Sequence, residues 1–292
     1  MSTIKKNEPL DKYCTYRIGG PARVVFAAGD TDEIIAGVEA ARENKFPFFV
    51  LGGGSNVLFS DEGYPGMVLK IENNSIEVKE EGARVLLAVG AGTPLAALAR
   101  YALERSLTGM EWAVGIPGTA GGAIRGNAGA FHGEISECVR KVRVIEILPK
   151  GVKEKVFGKP ECGFSYRESA FKHDKNLVIA AADISLAKGN REDIKSLMDE
   201  YLAKKSTTQP LEYPSAGSVF VNPPGFFAGK IIDDCGFKGK LIGGAQVSEK
   251  HSNFIVNRGG ATAQNVKDII AQIKSAAKEK FGVGMKEEIE IL

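Results

Sequence analysis

The sequence is poor in cysteine and histidine and contains no long apolar run, and each scarcity removes a class of function. Cys14, Cys138, Cys162 and Cys235 lie far apart with no CxxC pair, and only His132, His173 and His251 could join them. A structural zinc site needs closely spaced Cys and His ligands, so no metal is expected. The spacing reads instead as four unpaired, mostly buried thiols in a reducing cytoplasm. No stretch approaches the roughly 18 apolar residues of a membrane span, and residues 1–13 lack the apolar segment of a secretory signal. The expectation is a soluble cytoplasmic protein without a membrane partner. Lys and Arg total 38 against 36 Asp and Glu, a formal +2, which lacks the basic excess of a nucleic-acid binder. No repeat of about 20 to 50 residues is present.

Glycine is the residue in excess, at 35 of 292, where average usage of about 7% would give roughly 20. Hydrophobic residues at 43% and aromatics at 8% are ordinary for a globular core, and the length suggests two or three compact units.

Periodicity places a strand over residues 22–27, a helix over 31–43 and an apolar strand over 46–51 that runs into GGGSNVL, a β-α-β unit closed by a glycine loop. Short strands follow at 67–71, 76–79 and 84–89. A helix is expected over 94–104, with Pro94 in its first turn and Thr93 as its cap. A long glycine-rich connection is read over 115–133, then strands at 138–148 and 176–186. A charged helix over 190–205 leads into a last domain. That domain has a loop at 213–224, a short helix at 226–235, β-rich segments at 240–256, a long helix at 262–281 and a closing strand at 288–292. The class is α+β.

Two glycine loops are candidates for ligand contact. In Gly52-Gly53-Gly54-Ser55-Asn56, successive glycines let several amides converge on one anion such as a pyrophosphate, although a tight structural turn explains the same residues. It does not supply GxGxxG opening a helix. Gly225 to Lys230 has too few residues between its glycines for a phosphate-binding Walker loop, and Ile231 stands where a Mg²⁺-holding hydroxyl is needed. The second loop, GIPGTAGGAIRGNAGAFHGE, is more specific, because a long stretch with few large side chains lets backbone amides lie flat against a planar or phosphorylated ligand.

Taken together, TYRIGGPA, LGGGSNVLFS, GIPGTAGGAIRGNAGAF, CGFSYRESAFK, QPLEYPSAGSVFVNP, IGGAQVSEKHSNFIVN and the tail around Glu288 resemble, in content and order, the UDP-N-acetylenolpyruvoylglucosamine reductase family, also called UDP-N-acetylmuramate dehydrogenases, in its shorter second-class form. The resemblance spans nearly the whole chain. It implies a two-lobed FAD-binding module of the vanillyl-alcohol-oxidase (PCMH) type over residues 1–70 and 71–188, and an α+β substrate-binding domain over 189–292 with a catalytic tail. It also implies noncovalent FAD, NADPH as hydride donor, a UDP-sugar enolpyruvate substrate and a place in peptidoglycan precursor synthesis.

By position, the resemblance puts cofactor contacts on Gly52, Gly53, Gly54, Ser55, Asn56, Gly115, Pro117, Gly118, Thr119, Gly121, Gly122, Asn127 and Gly129. The catalytic trio falls on Arg167, Ser218 and Glu288. Substrate contacts fall on Tyr166, Gln209, Asn222, Lys230, Lys250, His251 and Asn253. The chain departs from the family's usual residues in three places: Val221 replaces a basic residue, Lys205 an arginine, and Arg125-Gly126 an aromatic and apolar pair.

The implied chemistry explains these residue types. Hydride added to an electron-rich enol ether needs its adjacent carboxylate to take up electrons, and a guanidinium such as Arg167 offers a fixed cation with paired donors. Ser218, beside Ala216-Gly217, can approach closely as general acid. Glu288 could donate to the enolate if burial keeps it protonated, although period-two alternation places Glu290 on the same face. His251 reads equally as a substrate contact or a hydrogen-bonded structural residue. The nearest alternative is an FAD-linked oxidase of an alcohol or sugar on the same module, where His132 could tether flavin. The C-terminal motifs argue against that reading.

Overall fold

The computed structural model describes residues 3–292. The chain divides into two compact units. One comprises the N-terminal stretch to Lys6, Val24–Gly53 and Gly66–Lys205; the other comprises Asn7–Arg23, Gly54–Pro65 and Ser206–Leu292.

In the first unit the helix Thr31–Glu43 has the expected bounds. Asp30 caps it by accepting from Glu33 N–H at 2.8 Å, and Ile34, Gly37, Val38 and Ala41 bury one face at the spacing of a helical stripe. The strand Phe48–Leu51 pairs in parallel with Tyr64–Ile71. A second sheet has Val152–Gly158, Val139–Ile147, Leu177–Lys188, Arg84–Gly90 and Ile76–Glu81 in that order, antiparallel throughout. Its central strand, Leu177–Lys188, is almost continuously buried and apolar. The other strands offer Leu87, Val89, Val142 and Val144 to a core shared with Leu95, Leu98 and Ala123.

Three expectations fail here. The second helix is Leu95–Glu104, with Pro94 at its N-cap and no side-chain cap. Thr93 is buried and donates to Ser75 O instead. The 115–133 connection is not featureless: it holds the helix Ala120–Gly126, capped by Thr119, and the hairpin Gly129–Ala130 with Gly133–Glu134. Phe131 and His132 form the hairpin tip at φ 51 and 68, the paired left-handed corners of a two-residue turn. Phe131 is held by stacking on Tyr201 with ring centroids 4.1 Å apart. Cys138 ends a short helix, Ile135–Cys138, before the strand starts at Val139.

The helix at the end of this unit's last segment runs Arg191–Thr208, three residues beyond expectation. On it Lys205 is buried and donates to Gly115 O at 2.9 Å. Burial pushes its ammonium pKa down to about 8.

In the second unit the strands Ser215–Ser218, Phe254–Asn257, Ala245–Val247 and Leu241–Ile242 form one sheet. The 213–224 segment is thus not all loop. The helix Ala263–Phe281 lies in the same unit, capped by Thr262 in a reciprocal pair with Asn265 and ended by Gly282 at φ 68. It buries Val266, Ile269, Ile270, Ile273 and Ala277. The closing strand is only Glu290–Ile291, parallel to Val57–Leu58, and Glu288 precedes it. Cys14, Cys138 and Cys162 are buried free thiols and Cys235 is half-buried, as expected. Among the described residues no helix is long and apolar enough to cross a membrane.

Candidate functional site

The two glycine loops meet within the first unit. A Cβ on Gly53 would lie 2.5 Å from Gly118 Cα, and one on Gly52 would lie 2.5 Å from Thr119 Oγ1. No side chain fits at either place, so the glycines are required by the contact between the loops. Among the described residues no acceptor takes the amide N–H of Gly53 or Gly118. Two adjacent half-exposed glycines with uncommitted donors suit an anion, and the surface around them is backbone rather than side chain. These residues therefore fit the pyrophosphate of a dinucleotide.

The expected cofactor positions do not all contribute in one way. Thr119 caps Ala120–Gly126 by accepting from Gly122 N–H at 3.4 Å. Gly121 is a packing residue, since its Cβ would lie 2.8 Å from Ala91 Cβ. Gly115 turns at φ 69 and Gly118 at φ 120, and Pro117 is exposed between them. Asn127 is fully buried, and its amide is engaged by Ser165 and Ser136. Gly129 gives its carbonyl to Arg167.

One contributor has no signal in the sequence beyond a lysine in the apolar run GMVLKI. Lys70 reaches under the first loop and donates to Gly52 O at 2.7 Å, and burial lowers its pKa. A cation held there adds positive field beside the uncommitted amides. Lys70→Met should raise the dissociation constant for FAD about tenfold, the lower range for loss of a charged hydrogen bond, as read by flavin fluorescence titration. Unchanged affinity would remove Lys70 from the site.

Arg167 lies in the same unit, at φ 58 in the turn Ser165 to Glu168. Its Nη2 donates to Gly129 O at 2.9 Å, and its guanidinium carbon lies 5.2 Å from the ring centre of Tyr166. Tyr166 is exposed.

In the second unit Ser218 is not on a free turn. It ends the edge strand Ser215–Ser218 and pairs with Phe254. The register shifts between Ser215 and Ser218, with Gly217 at φ 75 in open space. Among the described residues its hydroxyl has no hydrogen-bond partner. The chain just beyond is clamped by Asn253, whose amide accepts from Phe220 N–H at 3.0 Å and donates to Phe220 O at 2.8 Å. Asn253 is thus engaged as a backbone mimic.

Glu288 N–H donates to Val219 O at 2.8 Å, and Asn56 Nδ2 donates to Glu288 O at 3.0 Å. The backbone contact at Val219 brings the tail beside the Ser218 strand, and Asn56, in the same unit, holds the tail from its other side. Glu290 N–H turns to Asn56 O, so the two glutamates, equivalent by alternation, are held by different partners.

The other expected substrate residues are all in this unit. Asn222 accepts from Ala228 N–H. Exposed Lys230 pairs with Asp234, which raises its pKa. Lys250 donates to Ser206 O at 3.1 Å, close in sequence to Gln209. His251 is packed edge-on to Phe254; burial lowers its pKa and leaves Nδ1 without a partner. A Cβ on Gly229 would lie 3.7 Å from its ring, so the Ala228–Asp234 helix faces it closely.

Comparison with known proteins gives a consistent result. Residues 22–152 match the FAD binding domain family model, and residues 209–292 match the C-terminal domain of UDP-N-acetylenolpyruvoylglucosamine reductase. The chain is 45% identical over 286 residues to the UDP-N-acetylenolpyruvoylglucosamine reductase of Caldanaerobacter subterraneus subsp. tengcongensis, covering 98% of this chain and 92% of that protein. It is 42% identical over 290 residues to the corresponding protein of Lachnoclostridium phytofermentans, with the same coverage. The crystal structure of UDP-N-acetylenolpyruvylglucosamine reductase from Thermus caldophilus superposes with a TM-score of 0.81 at 32% identity, covering 100% of this chain and 98% of that one. Cholesterol oxidase from B. sterolicum shares the fold over 64% of this chain and 38% of its own, at TM-score 0.51 and 11% identity. The α+β class and the flavin-binding module expected from the sequence are borne out.

Proposed function

The chain belongs to the UDP-N-acetylenolpyruvoylglucosamine reductase family, and from that membership we propose that it carries out the NADPH-dependent, FAD-mediated reduction of UDP-N-acetylglucosamine enolpyruvate to UDP-N-acetylmuramate in peptidoglycan precursor synthesis. The observation of this molecule that supports the reading most directly is the glycine seam, in which Gly53 and Gly118 abut with uncommitted amides. FAD, when bound, supplies hydride transfer. The functional division is two flavin lobes over 1–70 and 71–188 with a substrate domain over 189–292, working in the cytoplasm.

The side chains then have separate tasks. Arg167 balances the charge that builds on the substrate carboxylate as the alkene accepts hydride; its fork of donors, held by carbonyl groups, is fixed before the charge appears. Ser218 gives its hydroxyl proton to the resulting carbanion. Glu288 hydrogen-bonds the enolate oxygen. Tyr166, Gln209, Asn222, Lys230, Lys250 and His251 hold the UDP-sugar, the two lysines matching its diphosphate by charge. The Asn253 side chain acts through the Phe220 backbone.

The direct test is spectroscopic. The purified protein should be yellow, NADPH should bleach the flavin band, and UDP-N-acetylglucosamine enolpyruvate should restore it. A band that NADPH bleaches and this substrate leaves bleached would rule the reading out.

Glu288 permits a graded test. Glu288→Gln keeps a donor, so reoxidation by substrate should fall less than in Glu288→Ala, by about tenfold if one neutral hydrogen bond of roughly 1.5 kcal/mol separates them. Equal losses in stopped-flow reoxidation would show that negative charge, not donation, is what the position supplies.

A further inference from the structure

We infer that Asn127 is a positioning residue for Arg167: its side chain fixes the turn that carries the arginine, and its carbonyl helps to fix the guanidinium. The inference rests on the reading of Arg167 as the group facing the substrate carboxylate.

Arg167 occupies an uncomfortable place. At φ 58 it is a large side chain in the left-handed region, which is unfavourable for a residue with a Cβ. The turn itself is closed by two backbone hydrogen bonds, Ser165 N–H to Glu168 O at 3.1 Å and Glu168 N–H to Ser165 O at 3.0 Å. Such strain persists only where surrounding contacts determine the backbone more strongly than its own preference. Lys172 holds the far side of the turn, donating through Nζ to Arg167 O at 2.8 Å, and His173 Nε2 lies 2.8 Å from Glu168 Oε2; Asn127 holds the near side. Asn127 Nδ2 donates to Ser165 O at 2.9 Å, at the stem of the turn. Arg167 Nη2 donates to Gly129 O at 2.9 Å and Nη1 reaches Asn127 O at 3.5 Å. Asn127 therefore holds the turn by its side chain and contributes to the guanidinium's cradle by its backbone.

Asn127 is itself immobilised. It is fully buried, sits at φ 42 and ψ 58 as the left-handed cap of Ala120–Gly126, and accepts from Ser136 N–H through Oδ1 at 3.3 Å. Asparagine suits the position because it tolerates the left-handed region better than most residues and carries both a donor and an acceptor. Glycine would keep the backbone and lose both side-chain bonds. The amide that the family motif suggests for flavin is thus turned inward, and its influence on the reaction passes through Arg167.

The test is a double-mutant cycle on the holoenzyme with Asn127→Gly, Arg167→Lys and the pair, following each half-reaction by stopped flow and FAD affinity by fluorescence. Asn127→Gly should slow reoxidation by UDP-N-acetylglucosamine enolpyruvate about 10 to 100-fold, the scale of a catalytic group displaced by about 1 Å. Bleaching by NADPH and the FAD dissociation constant should stay within about twofold. The double variant should be little slower than Arg167→Lys alone, because a misplaced arginine and a replaced one lose the same interaction. If Asn127→Gly does not fold, Asn127→Asp keeps the Oδ1 acceptor, replaces the donor to Ser165 O by a second carboxyl oxygen that cannot make that bond when ionised, and carries the same expectation. Multiplicative effects with a slow Arg167→Lys would overturn the inference alone. Equal slowing of both half-reactions, or loss of FAD, would overturn it in favour of a structural or flavin role. A wild-type rate in Arg167→Lys would overturn both the inference and the catalytic reading beneath it.

Discussion

In Ser218→Ala, NADPH should bleach the flavin at the wild-type rate while reoxidation by UDP-N-acetylglucosamine enolpyruvate falls about 10² to 10⁴-fold, the range for removal of a positioned acid. The separation follows from where the proton is needed. Reduction of the flavin involves no proton delivery to the sugar-linked carbon, so a general acid for that carbon acts only in the second half-reaction. The local structure makes the substitution clean. Ser218 is held by strand pairing to Phe254, and the next residues by Asn253 and the Glu288 amide. The hydroxyl contributes to none of these bonds, so alanine removes one group and leaves the strand in place. Substrate affinity should change little. Two stopped-flow traces decide the matter, and equal slowing of both would show that Ser218 supports the fold or the flavin.

Much of this fold was legible because hydrophobic period and capping residues agree locally. Thr31–Glu43 and Ala263–Phe281 have an apolar face, a side-chain N-cap and, in the second, a terminal glycine, which leaves few alternatives. Errors arose where tertiary contacts override such signals. Thr93 resembles a cap, yet it is buried beside Ser75, and Pro94 begins the helix without a side-chain partner. Residues 115–133 read as loop because seven glycines lower helix propensity. The helix Ala120–Gly126 nevertheless forms, since Gly121 allows approach to Ala91 and Thr119 supplies the cap.

The site was legible in its motifs and not in its supports. TYRIGGPA was informative as a string, but what it does is visible only in three dimensions: Thr15 Oγ1 donates to Ser215 O at 2.7 Å, and Asn257 Nδ2 to Tyr16 O at 3.2 Å. It braces the strand that ends in Ser218. Lys70, Asn127 and Asn253 likewise work through long-range hydrogen bonds, for which sequence spacing carries no record. The motif therefore nominates residues as a group while leaving open which side chains face a ligand and which hold those that do.

Gly53→Val should raise the dissociation constant for FAD by about 10 to 100-fold or more, and the protein should purify largely without its yellow colour. The cause is geometric. A Cβ at Gly53 would lie 2.5 Å from Gly118 Cα, 3.1 Å from its carbonyl carbon and 3.3 Å from its nitrogen, all backbone atoms that cannot rotate away. The two loops must part, and the amides of Gly53 and Gly118 lose their common placement. Overpacking of this kind costs about 1 to 3 kcal/mol, which corresponds to roughly tenfold to a hundredfold in affinity if it falls on the bound state. Since the offending atom is the Cβ itself, Gly53→Ala should already show most of the loss, whereas a merely flexible turn would admit alanine freely. Fluorescence titration of apoprotein with FAD measures the effect, and circular dichroism checks that the unliganded fold is retained. Wild-type flavin affinity in both variants would show that the contact between the loops is not what binds the pyrophosphate.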